Sequence, residues 1–96
     1  MKPSDALRSH REDIRQIVEK CRTRNPRIFG SVLRGEDKED SDLDLLVDPT
    51  PETTLMDIAR IQSRLQKLLG VPVDVLTPKA LPDTFRDRVL AEAEPV

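Results

Sequence analysis

Two aspartates one residue apart, Asp42 and Asp44, stand in an apolar run with Leu43, Leu45, Leu46 and Val47, twelve positions after a Gly-Ser turn at Gly30–Ser31. Side chains alternate faces along a strand, so both carboxylates point the same way, about 6–7 Å apart at Cα. They repel one another unless a cation sits between or above them. The Gly-Ser turn suits the other half of such a site. Glycine lets the backbone approach a phosphate closely, and free amides at the start of a helix attract its oxygens, with the Ser31 hydroxyl as a further donor. Arg34, one turn on, is placed to neutralise phosphate charge.

A third acid, Asp74, lies between Val73 and Val75, where a charge is unexpected without a partner. If its strand pairs beside that of Asp44, three carboxylates converge. Two like charges at ~4 Å cost roughly 4 kcal/mol at an effective dielectric near 20, which divalent cations offset. Oxygen ligands without His or Cys select Mg²⁺, with Mn²⁺ as the alternative, over zinc. Two such ions stabilise the attacking and leaving oxygens of an in-line displacement at phosphorus. In this reading Asp42 and Asp44 bridge the ions, and Asp74 binds one of them and helps to remove the proton of the attacking hydroxyl. Attack at the α-phosphate of a nucleoside triphosphate then transfers a nucleotidyl group and releases pyrophosphate.

The elements that must position these groups are legible in outline. Ser4 or Asp5 caps a first helix carrying Leu7, Ile14, Ile17, Val18 and Cys21, ended by Asn25-Pro26. A short strand at Arg27–Phe29 leads through Gly30–Ser31 into a brief helix to Arg34, ended by Gly35. The second strand spans Asp42–Val47 and is broken by Pro49 and Pro51. Thr53 or Thr54 caps a helix with Leu55, Ile58, Ile61, Leu65, Leu68 and Leu69, closed by Gly70. A third strand covers Val71–Leu76. A last helix runs from about Asp83 to Ala93 with Phe85, Val89 and Leu90 on one face. The expectation is one α/β (α+β) domain, residues 1–96, with a small mixed sheet of about three strands and helices packed against it.

The 96 residues carry 16 Lys+Arg against 18 Asp+Glu, a net charge of −2, and two Phe without Trp or Tyr. With no basic excess and no basic-aromatic platform, direct nucleic-acid binding is not expected. Between Glu36 and Asp48 there are seven acids and one base, Lys38. A lone cysteine fits a reducing compartment, and no segment has the ~18 apolar residues of a membrane span, so a cytoplasmic protein is expected.

The segment Phe29-Gly30-Ser31-Val32-Leu33-Arg34-Gly35-Glu36, together with Ser41-Asp42-Leu43-Asp44-Leu45-Leu46-Val47, resembles the DNA polymerase β-like nucleotidyltransferases. Within them it looks most like the minimal nucleotidyltransferases, the MntA antitoxins commonly encoded beside a HEPN-domain toxin, HepT. Pro72-Val73-Asp74-Val75-Leu76 and the stretch Phe85–Ala93 share the resemblance. It implies the nucleotidyltransferase fold and a Mg²⁺-dependent protein adenylyltransferase. That enzyme would use ATP to modify a tyrosine of its cognate HEPN ribonuclease toxin. Leu33 is bulkier than the alanine expected there.

Blander readings compete. Asp40, Asp42 and Asp44 alternate as in a calcium loop, but Leu45 replaces the glycine that loop needs next and its terminal Glu is missing. Ser31 works equally as a helix cap, Arg34 as a surface ion pair, Asp48 as a strand-end residue, and Cys21 as core. An antitoxin that only occludes its toxin is the principal alternative function. Transfer to a small molecule or RNA is disfavoured, because few residues lie outside the catalytic core.

Overall fold

Alternation along the second strand divides its side chains between two unequal faces, and this division builds the molecule. The structure, a computed structural model, describes residues 1–96. Helices α1 (Pro3–Ser9) and α2 (Arg11–Lys20) precede strands β1 (Thr23–Phe29) and β2 (Leu43–Pro49). Helix α3 (Leu55–Leu69), strand β3 (Val73–Leu76), a 3₁₀ turn (Pro78–Ala80), helix α4 (Arg86–Glu92) and strand β4 (Glu94–Pro95) follow. The sheet order is β3-β2-β1-β4; β2 runs antiparallel to β1 and parallel to β3. The mixed sheet is as expected, with a fourth strand, β4, pairing with β1 at Arg27 and Ile28. Two residues ending in proline carry no periodicity from which that strand could be read.

Leu43, Leu45 and Val47 face the main core, with Ala6 and Leu7 of α1, Ile14 and Val18 of α2, and Ile61, Leu65 and Leu69 of α3. Leu46 faces the other way, into a small cluster of Phe29, Leu81 and Val89. Three helices therefore cover one face of the sheet, and only the C-terminal segment covers part of the other. Asp44 shares the thinly covered face with Leu46, because the two are two positions apart along the strand.

Several local readings are corrected. The first helix is two, broken at His10, and neither Ser4 nor Asp5 caps it; the N-cap is Lys2. A distant residue does that work, since the buried Asp37 carboxylate accepts from the Ser4 amide at 2.9 Å. Burial pushes the Asp37 carboxyl up, but hydrogen bonds from the Ser4 backbone and hydroxyl outweigh it and leave its pKa lowered. Asn25-Pro26 does not end α2, which stops at Lys20; it lies inside β1, at a register shift between Arg24 and Arg27. Asn25 takes the left-handed conformation there (φ 55°), with its side chain bonded to Asp48 at 3.0 Å. Pro49 closes β2 from within, opposite Thr23 at the start of β1.

Helix α3 follows its sequence signals. Thr54 and Asp57 form a reciprocal capping box, and Gly70 ends the helix at φ 70°. Ile61 and Leu65 are fully buried, each worth about 1.5–3 kcal/mol of apolar burial. Leu55 is 88% exposed instead of joining that face, Leu68 is half-exposed, and on α4 Leu90 also faces outward. Helix α4 begins at Arg86, later than expected, with Phe85 as its N-cap. Cys21 is a buried core residue, and Asp48 a strand-end residue paired with Arg27.

Candidate active site

The parallel pairing of β2 with β3 sets Asp44 directly opposite Asp74. Neighbouring strands lie about 4.8 Å apart, so the two carboxyl-bearing side chains rise from the sheet side by side. Asp42 sits immediately before β2 and two residues from Asp44, on the same side. The backbone therefore places the three acids on neighbouring positions of β2 and β3 and of the residue just before β2. Asp44 is half-buried, whereas Asp42 and Asp74 are exposed and take part in no ion pair.

Their mutual repulsion is registered on the central member. Burial first, then the charges of Asp74 and Asp42, push the Asp44 carboxyl up to about 6, against a smaller opposing pull from Arg34. The side chains do not close on one point: nowhere in the chain do three His, Cys, Asp or Glu residues form a metal-holding cluster. An all-oxygen donor set whose central member is raised by burial and by two like charges fits a hard divalent cation, which would relieve that repulsion.

The far wall is the turn after β1. Phe29 is in register with Asp44, so the next residue, Gly30, lies beside the carboxylate. A Cβ on Gly30 would stand 2.2 Å from Asp44 Oδ2, and its φ of 77° also favours glycine. The brief helix expected to run to Arg34 is a single turn: the Arg34 amide donates to the Gly30 carbonyl at 3.2 Å, and that of Glu36 to Ser31 at 2.9 Å. The intervening amides of Ser31, Val32 and Leu33 donate to no backbone carbonyl. Three adjacent unspent donors beside the carboxylates are available to an anion, although the element is too short for the dipole of a full helix. Arg34 is exposed and paired with Glu36 at 3.2 Å.

Sequence reasoning missed the residues that hold β3 in place. Strand β3 is a sheet edge, with the amides of Val73 and Val75 pointing away from β2. These amides donate to the side chains of Gln66 and Gln62, each at 3.2 Å. Two glutamines four apart on one face of α3 therefore fasten the residues on both sides of Asp74. The i,i+4 spacing of Gln62 and Gln66 was a legible signal, but nothing local told which strand they meet.

A mixed sheet with one carboxylate on β2 and another just before it, a third on β3 and a Gly-Ser turn after β1 is the arrangement of a nucleotidyltransferase. The chain belongs to the nucleotidyltransferase domain family, which it matches over residues 7–95. It is 36% identical over 86 residues to the protein adenylyltransferase MntA of Thermococcus cleftensis, covering 90% of this chain and 84% of that protein. A Methanocaldococcus jannaschii protein provisionally named a protein adenylyltransferase is 44% identical over 66 residues, 69% of this chain and 71% of its own. Among solved structures, one provisionally assigned as a minimal nucleotidyltransferase superposes with a TM-score of 0.86 at 43% identity. That match covers 97% of this chain and 95% of the other. The fold is also that of a toxin–antitoxin crystallised with AMP-PNP, with a TM-score of 0.73 at 16% identity, covering 88% and 69% of the two chains. The chain is thus similar to MntA and to a minimal nucleotidyltransferase over most of its length.

Proposed function

We propose that this nucleotidyltransferase is an antitoxin that transfers AMP from ATP to a tyrosine hydroxyl of a cognate HEPN ribonuclease toxin, with Mg²⁺ as cofactor. The observation that carries the chemistry is the in-register pair Asp44–Asp74 beside the Gly30–Leu33 cradle. The acceptor class is supported by the relatives named protein adenylyltransferases and by the MntA–HepT complex, which shares the fold with a TM-score of 0.67 at 13% identity.

Asp42, Asp44 and Asp74 would hold Mg²⁺, which when bound offsets the triphosphate charge and makes the acceptor hydroxyl more acidic. The amides of Ser31, Val32 and Leu33 and the Ser31 hydroxyl receive phosphate oxygens. Gly30 keeps that cradle against Asp44. Arg34 can exchange Glu36 for a phosphate. Asp74, on the side of Asp44 away from the cradle, takes the proton of the entering phenol, whose ordinary pKa is near 10. The new bond joins the phenol oxygen to the α-phosphorus; the bond to the bridging oxygen of the β-phosphate breaks, and pyrophosphate leaves on the cradle side.

The test is incubation with ATP, Mg²⁺ and a candidate HEPN-domain toxin, followed by intact-mass and peptide analysis. One or more AMP masses on a toxin tyrosine are expected, and none with the Asp42→Asn, Asp44→Asn double variant. Neutralisation by a folded double variant that equals the parent's would replace this reading with simple occlusion.

A further inference from the structure

The only two aromatic residues of the chain other than its single histidine converge on one cavity beside the catalytic corner. This cavity, about 190 Å³, lies between the Gly30 turn and α4, with Phe29, Leu33, Phe85 and Val89 as apolar walls. Gly30 forms part of the wall, so the cavity and the carboxylates share that residue. Phe29 stands opposite Asp44 across the β1–β2 pair, which puts both on the same face of the sheet. At the rim are Arg88 and Glu92, one turn apart on α4, together with Arg34. Arg88 takes part in no ion pair. The larger cavity of the molecule, about 530 Å³, has no apolar wall and lies at the opposite end of β1 and β2, lined by Arg22, Thr23 and Thr50.

Position and chemistry limit what the small cavity can take. The sheet order places it across Asp44 from Asp74, on the leaving side of the reaction, so the acceptor hydroxyl does not enter through it. A polyphosphate tail would leave apolar walls unsatisfied and meet the Glu92 carboxylate. The space is below the ~300 Å³ of a pocket for a whole drug-sized ligand, but suits one planar ring system. Aromatic faces stack on a nucleobase, a guanidinium donates to a ring nitrogen, and a carboxylate accepts from an exocyclic amine.

We propose that this cavity is the nucleobase subsite, in which Phe85 stacks on the adenine ring of ATP while Arg88 and Glu92 meet its polar edge. The proposal rests on the nucleotide-dependent reading above and adds the residues that choose the base. Such a subsite gives the nucleotide a second anchor beside the phosphate cradle, which orients the α-phosphorus.

With so few aromatic protons in the chain, NMR tests it directly. Nuclear Overhauser contacts from adenine H2 or H8 of Mg²⁺-ATP to Phe ring protons are expected. Calorimetry supplies the second measurement, with ATP and inorganic tripolyphosphate as probes. Phe85→Ala should weaken ATP about tenfold and change tripolyphosphate by less than about twofold, and Phe85→Leu, which keeps the packing, should also lose ATP affinity selectively. Absence of adenine contacts to either Phe in the bound state overturns the proposal, as does an equal loss of both ligands in the two variants. Adenine contacts without transfer to a toxin would instead remove the protein acceptor and leave the subsite standing.

Discussion

Gly30 and Asp44 occupy each other's space across the β1–β2 pair: a single added methyl on Gly30 would lie 2.2 Å from Asp44 Oδ2. The turn proposed to cradle phosphate and the carboxylate proposed to hold a cation are therefore one packing unit. This close approach explains why a residue without a side chain is required at the turn, independently of its left-handed φ of 77°.

Gly30→Ala is accordingly expected to harm activity more than stability. The positive φ costs about 1–2 kcal/mol, while displacement of Asp44 should lower adenylyl transfer by more than about tenfold. Thermal melts and initial rates at saturating Mg²⁺ check the two effects separately. Loss of stability with an unchanged rate would show that Asp44 does not need this contact.

Removing the Asp44 charge should stabilise the metal-free protein at neutral pH. Its folded pKa is raised to about 6 by burial and by Asp74 and Asp42. Between about pH 4 and 6 the folded state therefore binds more protons than the unfolded one, and stability falls as pH rises through that window. The penalty is fully present above about pH 6 and absent below about pH 4. For a half-buried group it is worth about 1–2 kcal/mol after solvent screening. In EDTA at pH 7.5, Asp44→Asn should raise Tm by about 4–8 °C for each kcal/mol, with the gain shrinking toward pH 4. Excess Mg²⁺ should stabilise the parent and not the variant.

Proton and cation compete for the same carboxylate, so the rate should depend on pH and Mg²⁺ together. At limiting Mg²⁺ the acid limb of the profile is expected near pH 6, where Asp44 protonates. Raising Mg²⁺ should move that limb to lower pH. A limb that stays fixed across a wide range of Mg²⁺ would assign it to another group.

The glutamine clasp on β3 predicts a local effect. Gln62→Ala and Gln66→Ala each leave an edge amide beside Asp74 without its side-chain acceptor, at about 0.5–1.5 kcal/mol. Hydrogen exchange should accelerate at Val75 and Val73 respectively, more than elsewhere in the sheet. The transfer rate should fall several-fold in the double variant while ATP affinity holds.

What the sequence could show was local and periodic. The Asp42–Asp44 alternation, the glycine before Ser31, the acid inside the Val73–Val75 strand and the Thr54–Gly70 limits of α3 each follow from strand, turn or helix geometry over a few residues. That geometry is carried by the chain itself. Tertiary structure decided the rest. Asp37 caps α1 from 33 residues away, Gln62 and Gln66 clasp β3, β4 joins β1 with two residues, and Phe29 and Phe85 line one cavity beside the C-terminal helix. Such pairings set no repeat in the sequence, because they arise when separately stable elements bury their apolar faces and bring unmatched polar groups within bonding distance. The same burial places Asp44 opposite Asp74, a pairing that the proposed site requires.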